Sequence, residues 1–138
     1  MRKLLFTLVL LFATPAFADN YKILRVLDGD TVEIEAKFLP KELKQTLLLR
    51  MSGIDTPEIG GKAKCPNENK LAQEAKSLVI LEIARAKSID IKLIKWDKYG
   101  GRVLGDVYVD GILLSKKLIE KKLAVSYDGK KKPDWCNK

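Results

Sequence analysis

The chain carries two short acidic turns and two arginines in apolar surroundings. Asp28 and Asp30 flank Gly29, and Asp55 and Glu58 flank Thr56-Pro57 further along. There is no histidine, which excludes every mechanism that needs an imidazole base or ligand, Ser-His-Asp and Cys-His arrangements among them. Carboxylate, guanidinium and a possible metal remain. Acidic turns from distant parts of a chain, if they meet, suit one hard cation, which in the case of calcium takes about six to eight oxygen ligands. Arg50 lies inside the apolar run Leu47 to Met51, and Arg102 opens another run. An arginine is costly to hold in a wall of strands without an anionic partner, whereas its planar fork suits a phosphate. Each piece also has an ordinary reading. Asp-Gly is a common hairpin turn, Thr56-Pro57-Glu58 is also a pattern for starting a helix, and either arginine would serve in a structural ion pair or face solvent. Only convergence of the two turns makes a site.

The elements that would bring them together can be read from periodicity. Tyr21 to Leu27 reads as a strand, Asp28-Gly29 as a turn, and Val32, Ile34 and Ala36 as the apolar face of a second strand. A third strand covers Leu47 to Met51, with Arg50 directed away from Leu49 and Met51. Gly53 to Glu58 breaks the pattern, and Ile59 to Asn67 reads as a surface loop. From about Glu68 to Ala86, Leu71, Ala75, Leu78, Val79 and Ile83 recur at helical spacing. Two strands follow, one on Ile89, Ile91 and Leu93 and one on Val103, Val107 and Val109; a helix from about Leu114 to Leu123 and an irregular Lys-rich tail complete the chain. Short strands must hide their edges, so the expected fold is mainly β with α, a five-stranded barrel with two or three packed helices. An open α+β sheet is the alternative.

With 138 residues, one domain is expected, and 46% hydrophobic content fills one core. The formal charge is +8, and the balance stays basic without Arg2 and Lys3. Such a surface attracts polyanions or anionic membrane, or it simply keeps the domain in solution. Residues 1–18 show Arg2-Lys3, an apolar run from Leu4 to Ala13, and Ala16-Phe17-Ala18. That is the pattern of a cleaved signal peptide, and the run is far shorter than the roughly 20 residues that span a bilayer. The expected product, residues 19–138, is exported to the periplasm or beyond, carries no membrane segment and is a monomer. Cys65 and Cys136 would pair in an oxidising compartment, and a loop of that length would stabilise by roughly 4 kcal/mol. Two cysteines without histidine do not make a zinc site.

Several ordered blocks together are more specific than any one of them. Val26-Leu-Asp-Gly-Asp-Thr-Val32, Leu49-Arg-Met-Ser-Gly-Ile-Asp-Thr-Pro-Glu58, Glu74-Ala75 and Asp97-Lys-Tyr-Gly-Gly-Arg-Val-Leu104 resemble the successive signature blocks of the staphylococcal nuclease (thermonuclease) family. The likeness runs from about Tyr21 to Tyr127. It implies an OB-fold barrel, a bound Ca2+ and hydrolysis of phosphodiester bonds in DNA and RNA. By the same resemblance, Asp30, Asp55 and the Thr56 carbonyl would ligate the cation, with Asp28 as an acidic supporter. Glu58 would be the general base, Arg50 and Arg102 the phosphate clamps, and Tyr99 and Tyr127 would lie near the nucleotide. The chain departs from the family pattern twice. Gly101 stands as an extra glycine before Arg102, where one inserted residue would turn a strand side chain to the other face unless a bulge absorbs it. Lys122 stands where relatives end the last helix with glycine.

Lys62, Lys64, Lys70, Lys121, Lys122 and Lys130 to Lys132 are expected to include phosphate-tracking groups, with Tyr99, Tyr127 or Trp135 offering stacking faces. Trp96, at a strand end, is expected to pack. The competing functions are a noncatalytic OB-fold module that binds nucleic acid and a phosphodiesterase for small or lipid phosphates.

Overall fold

The computed structural model describes residues 21–138; the expected leader lies outside the described residues. The first three strands are β1 (Ile23–Val26), β2 (Thr31–Glu35) and β3 (Thr46–Met51), followed by a two-residue strand β4 (Ile54–Asp55). Strict alternation along β3 buries Leu47, Leu49 and Met51 and leaves Arg50 on the other face, as the period of two requires. After a single 3-10 turn at Gly60–Lys62 comes helix α1 (Pro66–Arg85). It starts two residues before the expected Glu68 because Pro66 occupies the first helical position and Cys65 caps it, its Sγ accepting from the Glu68 N–H at 3.4 Å. β5 (Ile89–Trp96), β6 (Arg102–Val109), β7 (Ile112–Leu113), α2 (Leu114–Glu120) and β8 (Val125–Ser126) complete the chain.

The main sheet has the order β1-β2-β3-β6-β5, with β7 added at β6. β3 and β6 run parallel; the β1–β2, β2–β3 and β5–β6 pairs are antiparallel. Curled on itself and closed off by the helices, this is the five-strand OB arrangement expected, mainly β with α. Its inner face and the helices share one core in which Val32, Ile34, Leu49, Val79, Leu114 and Leu118 are fully buried. Each such side chain contributes about 1.5–3 kcal/mol by leaving water.

α2 ends earlier than expected, at Glu120 rather than Leu123. Lys122 takes a left-handed conformation, φ 59°. Its N–H bonds to the Ile119 carbonyl at 2.9 Å, and the Leu123 N–H reaches back to the Leu118 carbonyl at 2.9 Å. Those two bonds close a Schellman cap with a side chain where glycine is favoured, and Leu123 is buried just beyond the helix.

Candidate active site

The two acidic turns meet because Gly29 has no side chain. A Cβ there would lie 2.7 Å from Ala75 Cβ on α1 and 3.0 Å from Thr56 Cγ2. The β1–β2 turn is therefore pressed directly against α1 and the start of the Asp55–Glu58 segment. Within the turn, Asp28 Oδ1 accepts from the Asp30 N–H at 3.1 Å, and the Asp30 carbonyl accepts from the Met51 N–H at 2.8 Å. On the other side, the unforeseen pairing of β4 with β8 sets Asp55 opposite Val125, and the Tyr127 N–H bonds to the Gly53 carbonyl at 2.9 Å.

Arg50 joins the turns. Its Nη2 lies 3.1 Å from Asp30 Oδ2 and 3.4 Å from Asp55 Oδ1, all three side chains being largely buried. Burial pushes the Asp30 carboxyl up to about 6; Arg50 pulls it down and the charge of Asp28 pushes it further up. Asp55 is 1% exposed, and two groups from the tail also reach it. The Trp135 indole N–H donates to Oδ2 at 3.2 Å, and Lys132 Nζ lies 3.2 Å from Oδ1. Lys132 also donates to Glu58 Oε1 at 2.6 Å. Burial lowers the Lys132 ammonium, but the Glu58 hydrogen bond and the Asp55 charge outweigh it and hold the group above the ordinary lysine value.

Glu58 itself is held by a residue that sequence reasoning missed. The buried Glu68 carboxylate, in the first turn of α1, accepts from the Glu58 N–H at 3.2 Å and the Lys64 N–H at 2.7 Å. The available signal was an acid three residues after a helix cap, a position from which carboxylates commonly reach back to free N–H groups.

Arg102 arrives on the same face as Arg50. It pairs with Leu48 in the parallel β3–β6 ladder, two positions from Arg50, and the even step keeps the two side chains together. Gly101 adopts φ 74° in the loop before β6, so the extra residue is absorbed outside the strand and the alternation starts cleanly at Arg102. Asp97, not foreseen as a partner, accepts from Arg102 Nε at 2.5 Å. Each guanidinium also lies near a tyrosine ring, Arg102 4.8 Å from the Tyr99 centroid and Arg50 5.7 Å from that of Tyr127.

Asp28, Asp30, Arg50, Thr56, Glu58, Tyr99, Arg102 and Tyr127 thus line one open cleft of about 900 Å3, with Asp55 buried behind it. Of the lysines expected to follow a phosphate chain, Lys62 and Lys132 line this cleft. The two tryptophans exchange their expected roles. Trp96 does not pack but stands 60% exposed on the cleft, at the last position of β5, where it pairs with Val103 at the start of β6. Trp135 offers no stacking face; it is buried to 3% exposure with its N–H on Asp55.

Cation chemistry can be tested on the donor set. Among the described residues no group of three or more His, Cys, Asp or Glu side chains is arranged to hold a metal by itself. The cleft nevertheless presents Asp28, Asp30 and Thr56, and just behind them Asp55 shares the Arg50 guanidinium with Asp30. All of these residues offer oxygen donors. The set fits a hard divalent ion that keeps part of its coordination for water or phosphate oxygen.

Residues 48–137 match a protein family described as "Staphylococcal nuclease homologue". A probable staphylococcal-like nuclease, CAN1 of Oryza sativa subsp. japonica, is 32% identical over 79 residues, which is 57% of this chain and 21% of that protein. The chain therefore spans about a fifth of that relative's length. The family match holds Arg50, Asp55, Thr56, Glu58, Tyr99, Arg102 and Tyr127 and begins after Asp28 and Asp30.

Proposed function

The chain belongs to the staphylococcal nuclease family, and from that premise we propose that it is an exported, Ca2+-dependent nuclease that hydrolyses phosphodiester bonds of DNA and RNA with little sequence preference. The observation that carries this reading is Arg50 reaching Asp30 and Asp55 with one nitrogen, on the wall of a cleft that also holds Arg102 and Glu58.

Asp30, Asp55 and the Thr56 carbonyl would hold the cation, with Asp28 beside them. When bound, the ion supplies polarisation of the phosphoryl oxygen and neutralises part of its charge. The remaining work falls to this chain's side chains. Arg50 and Arg102 lie on one face and bind phosphate oxygens by charge-assisted, fork-like hydrogen bonds, which strengthen as negative charge builds up on the phosphorus centre. Glu58 sits at the cleft edge with a partly exposed carboxylate. It accepts a proton as water oxygen bonds to phosphorus and the ester oxygen departs, a role that contributes about 10²- to 10⁴-fold. Tyr99, 57% exposed, offers a face to a base, and stacking of this kind tolerates any sequence. Arg50, Lys62, Lys95, Lys98, Arg102 and Lys132 line the cleft, and cations of this kind suit phosphates and carry no base readout, which supports low sequence preference. The paired cysteines and the leader pattern support export to an oxidising compartment.

The test uses protein beginning near Asp19, with plasmid, denatured DNA and RNA as substrates, with Ca2+ or with chelator, and with Glu58→Gln as control. Degradation that needs Ca2+ and drops by two orders of magnitude or more in the variant is the expected result. Salt-sensitive binding without cleavage would replace the nuclease by a binding module.

A further inference from the structure

Beyond Tyr127 the chain leaves the sheets, yet its end is anchored. Cys136 is bridged to Cys65, the cap of α1, with 6.0 Å between Cα atoms. Asn67 Nδ2 donates to the carbonyls of Trp135 and Lys138 at 3.4 and 3.2 Å. Asp134 accepts from the Cys136 N–H at 2.9 Å, closing a local turn. These contacts hold the intervening Trp135 indole inside the protein.

A buried indole needs an acceptor for its single N–H. Here the acceptor is Asp55 Oδ2 at 3.2 Å, while Oδ1 of the same carboxylate faces Arg50 and Lys132. The rotation of an aspartate carboxylate about its last bond is intrinsically loose, with a broad, roughly two-fold profile. A fixed donor on one oxygen removes that freedom and determines which oxygen is presented to the site. Outer donors of this kind orient ligating groups in metal sites.

We propose that Trp135 is a positioning residue for Asp55: its N–H fixes Oδ2, so that Oδ1, which faces Arg50 and Lys132, is the oxygen left for a cation, and the Cys65–Cys136 bridge keeps the donor in place. The proposal rests on the reading of Asp55 as a cation ligand. It assigns the C-terminal segment to the site itself and not only to stability.

The experiment is calorimetric titration of Ca2+ into the disulfide-bonded wild type and into Trp135→Phe, which keeps an aromatic ring and removes the N–H. The expected result is a Kd about 10- to 100-fold weaker in the variant, with folding checked by urea unfolding of the metal-free proteins. A purely structural role would lower the urea midpoint and leave the Kd of folded protein unchanged, and that result overturns the proposal while leaving the cation reading intact. Absence of Ca2+ binding in the wild type would remove both. Should Trp135→Phe not fold, the wild type decides: the Trp135 indole N–H resonance, assigned against Trp96→Phe, is expected to move at the Ca2+ concentration that saturates calorimetry. A resonance that stays in place overturns the proposal.

Discussion

Lys132 Nζ sits 2.6 Å from Glu58 Oε1, bound to the side chain proposed as base, and its second contact is Asp55 Oδ1 at 3.2 Å. An ammonium on the tethered tail thus occupies two acids that the cation and the attacking water would otherwise use.

A divalent ion reaching Asp55 must displace this ammonium or share the carboxylate with it. Lys132→Met should therefore tighten Ca2+ binding. The lysine side chain is 47% exposed, so solvent screening keeps the pair near about 1 kcal/mol, which corresponds to a Kd lowered by roughly 5-fold. Calorimetry on the disulfide-bonded protein measures this; a weakened Kd would show that Lys132 supports the site and does not compete for it.

Arg50→Lys keeps the charge beside Asp30 but loses the planar fork. If Arg50 clamps phosphate, kcat should fall by about 10²-fold, in the range found for loss of a transition-state donor. Steady-state kinetics on denatured DNA, with saturating Ca2+, would expose an error here as an unchanged kcat.

The raised Asp30 carboxyl has a sign that can be checked in chelator. It titrates near 3.8 in the unfolded chain and about 6 in the folded one. Between those values the native state holds more protons than the unfolded state, so this group's contribution to stability is full below about pH 4 and is lost as pH rises through 6. Asp30→Asn should remove that slope and stabilise metal-free protein at pH 7 by up to about 3 kcal/mol, taking about 1.4 kcal/mol per unit. Urea unfolding at pH 4 and pH 7 is the measurement, and equal slopes in both proteins would contradict it.

Strand parity alone placed Arg50 opposite the core, and the two turns singled out the acids, because period and turn chemistry are local properties. Local signals could not show that β4 pairs with β8, since a two-residue strand has no period, and it is this pairing that carries Asp55 and brings Tyr127 close to Arg50. The positions of Trp96 and Trp135 were misjudged for a related reason. A tryptophan serves as core, platform or donor according to what a distant segment covers, and for Trp135 that segment is fixed by the Cys65–Cys136 bridge, whose pairing was foreseen but whose consequence was not.

Lys122 was legible as a strained cap. A left-handed side-chain residue costs roughly 1–2 kcal/mol, part of which a glycine would give back in unfolded-state entropy. Lys122→Gly should thus stabilise the protein by about 1 kcal/mol, read as a higher urea midpoint with the same m-value. Lys122 does not line the cleft, so cleavage rates should not change.

Gly29 gives the most direct test of how the site is assembled. An alanine there would place its Cβ against Ala75 Cβ at 2.7 Å and Thr56 Cγ2 at 3.0 Å, closer than side chains pack, so the Asp28–Asp30 turn must move away from α1 and from Thr56. Overpacking of this kind costs about 1–3 kcal/mol, and the movement separates Asp30 from Asp55. Gly29→Ala should therefore lower both the urea midpoint and the Ca2+ affinity. Ala75→Gly in the same chain removes the nearer obstacle while costing about 1 kcal/mol in helix propensity. The double variant should consequently recover Ca2+ affinity without recovering stability. Recovery of neither, with both variants folded, would mean that the approach of the turn to Ala75 does not set the spacing of the two carboxylates.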